Sequence, residues 1–329
     1  MSGRTIERSS RRTSVGELIE RAQQGQPRAV ARLISLVEDA APELREVAAA
    51  LAPHTGHAQV IGLTGAPGVG KSTSMSVLVG ALRKAGKRVG VLAVDPSSPF
   101  SGGALLGDRI RMQNHALDDG VFIRSMATRG HLGGIAWATP QALRVLDAAG
   151  CDVVLVETVG VGQSEIEVVS LADTTLVLLA PGMGDGIQAA KAGILEVADV
   201  FVVNKADRDG AEQTVRDLKY MISLGRREQE GASWRPPIVK TVANKGEGVD
   251  DVVDAIEAHR TWLAEHGELD ARRKRRAEAE IEAIALEQLR FKLGDVRRGK
   301  ALPGLAARVV AGELDPYRAA DDLVAELGA

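Results

Sequence analysis

Cysteine is almost missing from this sequence: Cys151 stands alone. A single thiol cannot close an internal disulfide, which excludes a disulfide-stapled scaffold and fits a reducing compartment. Placed at the head of an apolar run, "CDVVLVE", it reads as a small buried hydrophobe. Aromatic residues are only 3% of the chain, so a core must be built from Val, Leu, Ile and Ala. No apolar run approaches the roughly 18–20 residues that span a bilayer, and no membrane-crossing helix is expected. The opening stretch, "MSGRTIERSSRRTSVGELIE", is basic but has no apolar centre, so it does not read as a secretory signal. A cytoplasmic protein is the expectation. An excess of one charge is missing too. The formal net charge is -3, which points to no polyanionic partner. The basic run "ARRKRR", 271–276, has acidic residues on both sides. It reads as a solvated helix face or dimer contact, not as a nucleic-acid patch.

What remains is ordinary for a globular protein: 329 residues, 45% apolar and 26% charged. That is enough for one large domain with additions, or for two domains. "SVGE", Ser14 to Glu17, has capping-box spacing and opens a helical pattern. Further patterns cover 27–37 and 41–51, and together they predict an N-terminal helical extension over 1–56. Between 57 and 267 the texture changes. Short runs such as "QVIGLTG", "RVGVLAVD", "CDVVLVE", "TTLVLLA" and "DVFVVN" alternate with amphipathic segments. The runs are continuously apolar, as in strands buried on both faces. The expected class is α/β, a mainly parallel sheet with helices on both faces, with ligands beyond the strands' carboxyl ends. A helical C-terminal arm is expected over 268–329. It holds one long pattern from Glu268 and another, "ELDPYRAADDLVAEL", with Asp315 and Pro316 in its first turn.

"GLTGAPGVGKST" contains Gly65-x-x-x-x-Gly70-Lys71-Ser72, a P-loop pattern with a strand before it and a helix after. Glycines let successive backbone N–H groups point at one phosphate, and the helix N-terminus adds its positive end. Gly65, Ala66, Pro67, Gly68, Val69, Gly70, Lys71, Ser72 and Thr73 are therefore the candidate phosphate cradle. Lys71 supplies charge to the outer phosphates, and Ser72 a hydroxyl to Mg²⁺. Glu157 ends an apolar strand, where it can hold the Mg²⁺ shell or its water. Gly160, three residues on, is suited to a backbone N–H meeting the terminal phosphate. Asp95, at another strand end, is a second candidate for metal or water. Asp108 is a third candidate for metal; it reads equally as a helix cap. Asn204-Lys205-x-Asp207 is the arrangement that reads guanine. A carboxylate at Asp207 can accept from the ring N–H and the exocyclic amine together. Adenine offers no such pair, and the unpaired carboxylate would reject it. Lys205 has an aliphatic stem to lie along the base. Asn204 can tie this loop to the P-loop. In "TVANKGEG", Val242, Ala243 and Asn244 are placed to add backbone contacts to guanine.

With "DPSSPFSGGALLGDRIRM", "ETVGVGQSE" and "NKAD", the sequence resembles the MeaB/ArgK-type GTPases associated with methylmalonyl-CoA mutase. The resemblance runs over nearly the whole chain. It implies binding of GTP and GDP with Mg²⁺, slow hydrolysis, and a homodimer joined by the C-terminal arm. It also implies a chaperone role: gating cofactor loading into an adenosylcobalamin-dependent acyl-CoA mutase, methylmalonyl-CoA mutase first, and protecting it from inactivation. Pro181 to Gly193 matches the family's switch loop. The family usually has Ser-Ala at the base loop, where this chain has Val242-Ala243. A backbone N–H still serves there. In Ras-like enzymes a glutamine follows the loop glycine and orients water. Val161 stands there instead, with Gln163 nearest, which predicts slow intrinsic turnover. Two alternatives are a metallochaperone GTPase and a P-loop kinase. The first is opposed by the lack of His and Cys tracts, the second by the guanine motif.

Overall fold

The computed structural model describes residues 14–39, 41–96, 115, 117–128, 138–158, 170–182, 197–225, 233–298 and 301–327. The chain divides into two compact units, Met1–Leu269 and Asp270–Ala329.

The first unit is built on seven parallel strands: β1 (Gln59–Thr64), β2 (Val89–Pro96), β3 (Val121–Thr128), β4 (Val153–Thr158), β5 (Thr174–Leu179), β6 (Val200–Asn204) and β7 (Ile238–Thr241). Their order is β3-β2-β4-β1-β5-β6-β7. β1, β5 and β6 are buried at every position, as the unbroken apolar runs require. Side chains alternate between the two faces. Val153 and Leu155 of β4 pack on one face with α4 (Lys71–Lys84) and α7 (Val249–Glu265). Val154 and Val156 face the opposite side. There they meet α5 (Ala138–Ala148) and the N-terminal helices α1 (Val15–Gln23), α2 (Pro27–Glu38) and α3 (Leu44–Leu51). α6 (Ala211–Gly225) covers the rest of that side, over Val177, Leu179, Phe201 and Val203.

α1 starts where the capping box predicts. The Glu17 N–H donates to Ser14 Oγ at 3.2 Å. The three N-terminal helices share one core with α5 and the sheet: Leu33, Ile34 and Val37 are fully buried beside Val145 and Leu146. They form a layer of the first unit. Leu33→Ala should therefore cost about 2–5 kcal/mol of the whole unit's stability, the usual range for a buried leucine. Urea unfolding of the full chain checks this. A separate early transition for the helices, with the main one unmoved, would contradict the shared core.

The second unit continues α8 (Glu268–Arg298) and adds α9 (Ala301–Val310) and α10 (Pro316–Leu327). Asp315 caps α10: its Oδ1 accepts from the N–H groups of Tyr317 and Arg318 at 2.9 and 3.1 Å. The sequence pattern missed α9, because Pro303 and Gly304 interrupt it. Both fall in the helix's first turn, where proline is tolerated. Among the described residues, no helix is long and apolar enough to cross a membrane.

Candidate nucleotide site

The carboxyl ends of the strands bring the P-loop, Glu157, Asn204 and Lys205 together at one edge of the sheet. β1 runs into the P-loop, and α4 leaves it at Lys71. Gly65 and Gly70 have φ of 143° and 99°, a region L side chains rarely adopt. A Cβ at Gly65 would collide with the Leu178 carbonyl of neighbouring β5, and one at Gly70 with Asn204 Nδ2. The loop is thus folded tightly against two strand ends. No side chain caps α4. The start of α4 brings the positive end of the helix dipole to the loop. Lys71 is buried, and its Nζ donates to the carbonyls of Gly65 and Ala66 at 2.6 and 3.3 Å. The ammonium is held inside the curl of the loop, where a phosphate chain would lie. Helix dipole, cation and a glycine curl fit a nucleotide's phosphates.

Parity places two further groups. Glu157, the last residue but one of β4, and Asn204, the last of β6, are in step with Val153, Leu155, Val200 and Val202, which lie on the α4 face. Leu63 pairs with Glu157 in register, which brings the carboxylate beside the start of the P-loop. Ser72 Oγ donates to Glu157 Oε1 at 3.0 Å, and both residues are buried. Two hard oxygen donors beside a phosphate cradle suit Mg²⁺. Asp95 lies in β2, in register with Ala127. Its side chain, Asp108, Gly160 and the segment 183–193 lie outside the described residues. Among the described residues, no group of three or more His, Cys, Asp or Glu could hold a metal ion by itself.

Asn204 is the hub between the two halves of the site. Its Nδ2 donates to the Val69 carbonyl at 2.8 Å, across to the P-loop. Its Oδ1 accepts from Ala243 N–H at 3.0 Å and Thr241 Oγ at 3.2 Å, across to the loop after β7. One buried amide therefore fixes phosphate loop, base loop and strand end together. Asn204→Ala should leave a carbonyl and an N–H buried without partners, at about 1–3 kcal/mol each. Urea unfolding should show a loss of that size, and GDP titration a weaker affinity. Unchanged stability would contradict the hub.

Lys205 is the one non-glycine residue with positive φ among the described residues, at 57°. Such a turn is disfavoured for a side chain and marks a functional constraint. It sends Lys205 back over the P-loop, where Nζ donates to the Gly68 carbonyl at 2.7 Å. The aliphatic stem then forms one wall of the space between the loops. Asp207 is partly exposed, and Lys245 Nζ stands 3.4 Å from its carboxylate. An exposed pair of this kind is worth at most about 1 kcal/mol, so the carboxylate is cheaply released to an incoming base. Sequence reading missed Thr241 and Lys245. The Lys245 position lies inside the "TVANKGEG" loop already singled out, and Thr241 ends the strand before it.

The description of one family fits this edge: methylmalonyl Co-A mutase-associated GTPase MeaB, whose model matches residues 30–295. The chain belongs to the MeaB family of GTPases. A relative from Pyrococcus abyssi, whose name gives it as a GTPase, is 48% identical over 314 residues, 95% of this chain and 97% of its own. GTPase ArgK of Escherichia coli is 36% identical over 269 residues, 80% of this chain and 81% of its own. The mouse methylmalonic aciduria type A homolog, a mitochondrial protein, is 37% identical over 267 residues, 80% of this chain and 64% of that protein. A crystal structure of a LAO/AO transport system kinase superposes with a TM-score of 0.70 at 27% identity. It covers 97% of this chain and 99% of that one. The MeaB-family chain thus hydrolyses GTP.

Proposed function

We propose that this MeaB-family GTPase is a chaperone for an adenosylcobalamin-dependent acyl-CoA mutase, methylmalonyl-CoA mutase first. It gates cofactor loading and protects the mutase from inactivation. The family match over residues 30–295 carries the reading, because that family is described by its association with the mutase.

In the proposed cycle, Lys71 and the first N–H groups of α4 neutralise the phosphates. Ser72 and Glu157 would hold Mg²⁺, with Asp95 completing its shell or positioning water. When bound, the ion neutralises charge that develops on the phosphoryl oxygens. Asp207 selects guanine with the backbone N–H of Asn244 beside it, because the N–H groups of Val242 and Ala243 already donate to the Glu247 carbonyl and to Asn204 Oδ1; Lys205 flanks the base. Phosphoryl transfer needs an aligned water as well as charge neutralisation. With Val161 in place of a water-orienting glutamine, intrinsic turnover is slow and the mutase completes the site. The second unit exposes Ile281, Ile284, Leu286 and Leu289 along α8. These apolar side chains support a homodimer contact through 268–329.

Single-turnover GTP hydrolysis, with and without purified methylmalonyl-CoA mutase, tests the proposal. Slow turnover alone, raised by the mutase at least about tenfold, is the expected result. Fast turnover that the mutase leaves unchanged would refute it.

A further inference from the structure

The opposite edge of the sheet, at the amino ends of the strands, holds a second cavity of about 350 Å³. That is within the size range of small-molecule sites. It lies where Lys87 leads into β2, Asp152 into β4 and His57 towards β1, with Arg260 of α7 closing one side.

Its hydrogen-bonding capacity is lopsided. Most of the acceptors are engaged. Asp147 takes three backbone N–H groups, from Gly56 at 2.5 Å, His57 at 3.3 Å and Ala58 at 2.9 Å. Asp152 Oδ2 takes the Arg88 N–H at 2.7 Å. The last carbonyls of α5 accept from Ala149, Gly150 and Cys151 N–H, at 2.8 to 3.1 Å. Cys151 is no anion either: burial pushes its thiol up to about 12. The donors are unspent. Among the described residues, neither the Lys87 ammonium nor the Arg260 guanidinium has an ion-pair partner, and the rings of His54 and His57 are unbonded. The Arg88 guanidinium stands against the same rim. A Cβ on Gly150 would lie 3.0 Å from its Nη1, and one on Gly25 would lie 2.9 Å from its Nη2. Both glycines have positive φ, in the left-handed turns that end α1 and α5.

We infer that this cavity is a second ligand site, for a small molecule carrying at least two phosphate or carboxylate groups. Lys87 and Arg260 are its principal contacts, with His54 and His57 adding ring N–H donors. It is separated from the phosphate loop by the length of the strands. It draws on the N-terminal helices, the sheet and α7 together, so an occupant would brace all three layers of the first unit.

The test uses the full chain saturated with GDP, so that added anion does not report on the P-loop. Inorganic pyrophosphate and citrate are the two probes, followed by NMR of the histidine ring protons. One or both should move the His54 and His57 resonances saturably. The tighter of the two assigns the source as phosphate or carboxylate. Lys87→Gln and Arg260→Gln should each weaken that binding about tenfold or more, with GDP affinity unchanged as the control for folding. No saturable movement at His54 and His57 with either probe would overturn the inference. So would movement that persists at full affinity in both variants.

Discussion

Lys71→Ala is expected to lower GTP hydrolysis by about two to three orders of magnitude, the usual cost of deleting a preorganised charge at a developing oxyanion. Nucleotide affinity should fall with it. Two roles are lost at once. The ammonium is buried inside the P-loop, donating to the carbonyls of Gly65 and Ala66. Deleting it removes the phosphate's counter-charge and also the bonds that draw the loop into a curl. Lys71→Arg restores the charge but not the compact point geometry, and should rescue little. Stopped assays of phosphate release, with GDP titration beside them, give both numbers. Hydrolysis within threefold of the parent would place the phosphates elsewhere on the molecule.

Asp207→Asn should change which base is accepted. A carboxylate at 207 accepts from both donors on guanine. The amide that replaces it turns one of those contacts into donor against donor. A charge-assisted hydrogen bond contributes about 1.5–3 kcal/mol, and a donor left facing a donor adds a desolvation cost. The preference for GTP over XTP should therefore fall by about 10²-fold or more, with XTP now favoured by its extra carbonyl. The existing partner of Asp207 does not obscure this. Lys245 sits at 3.4 Å with both groups partly exposed, so its loss changes little. Competition between GTP, XTP and ATP for one fluorescent nucleotide reads the result. An unchanged ranking would remove Asp207 from the base site.

Much of the site is legible in the sequence because its chemistry is local. The P-loop is one continuous stretch. Glu157 and Asn204 each end an apolar run, and strand parity then puts both on the face that α4 covers. What spans distance in the chain is not legible. Asn204 reaches back to Val69, the tie to the P-loop that its motif suggests, but its bonds forward to Thr241 and Ala243 are not visible in a tetrapeptide. The left-handed turn at Lys205 follows from the loop's need to recross the P-loop, not from lysine's own preference. Strand order is invisible for the same reason, since parallel strands are paired by long crossovers. The amphipathic patterns of α1 to α3 announce an apolar face without saying what covers it. Leu33 and Val37 turn out to share a core with α5 and the sheet.

The most direct test of the account is calorimetric titration of the full chain with Mg·GDP and, separately, Mg·ADP. Saturable heat with GDP at one nucleotide per chain, and none with ADP, is the predicted result. No heat with GDP, or equal affinity for ADP, would contradict the claim that these strand ends form a guanine-nucleotide pocket.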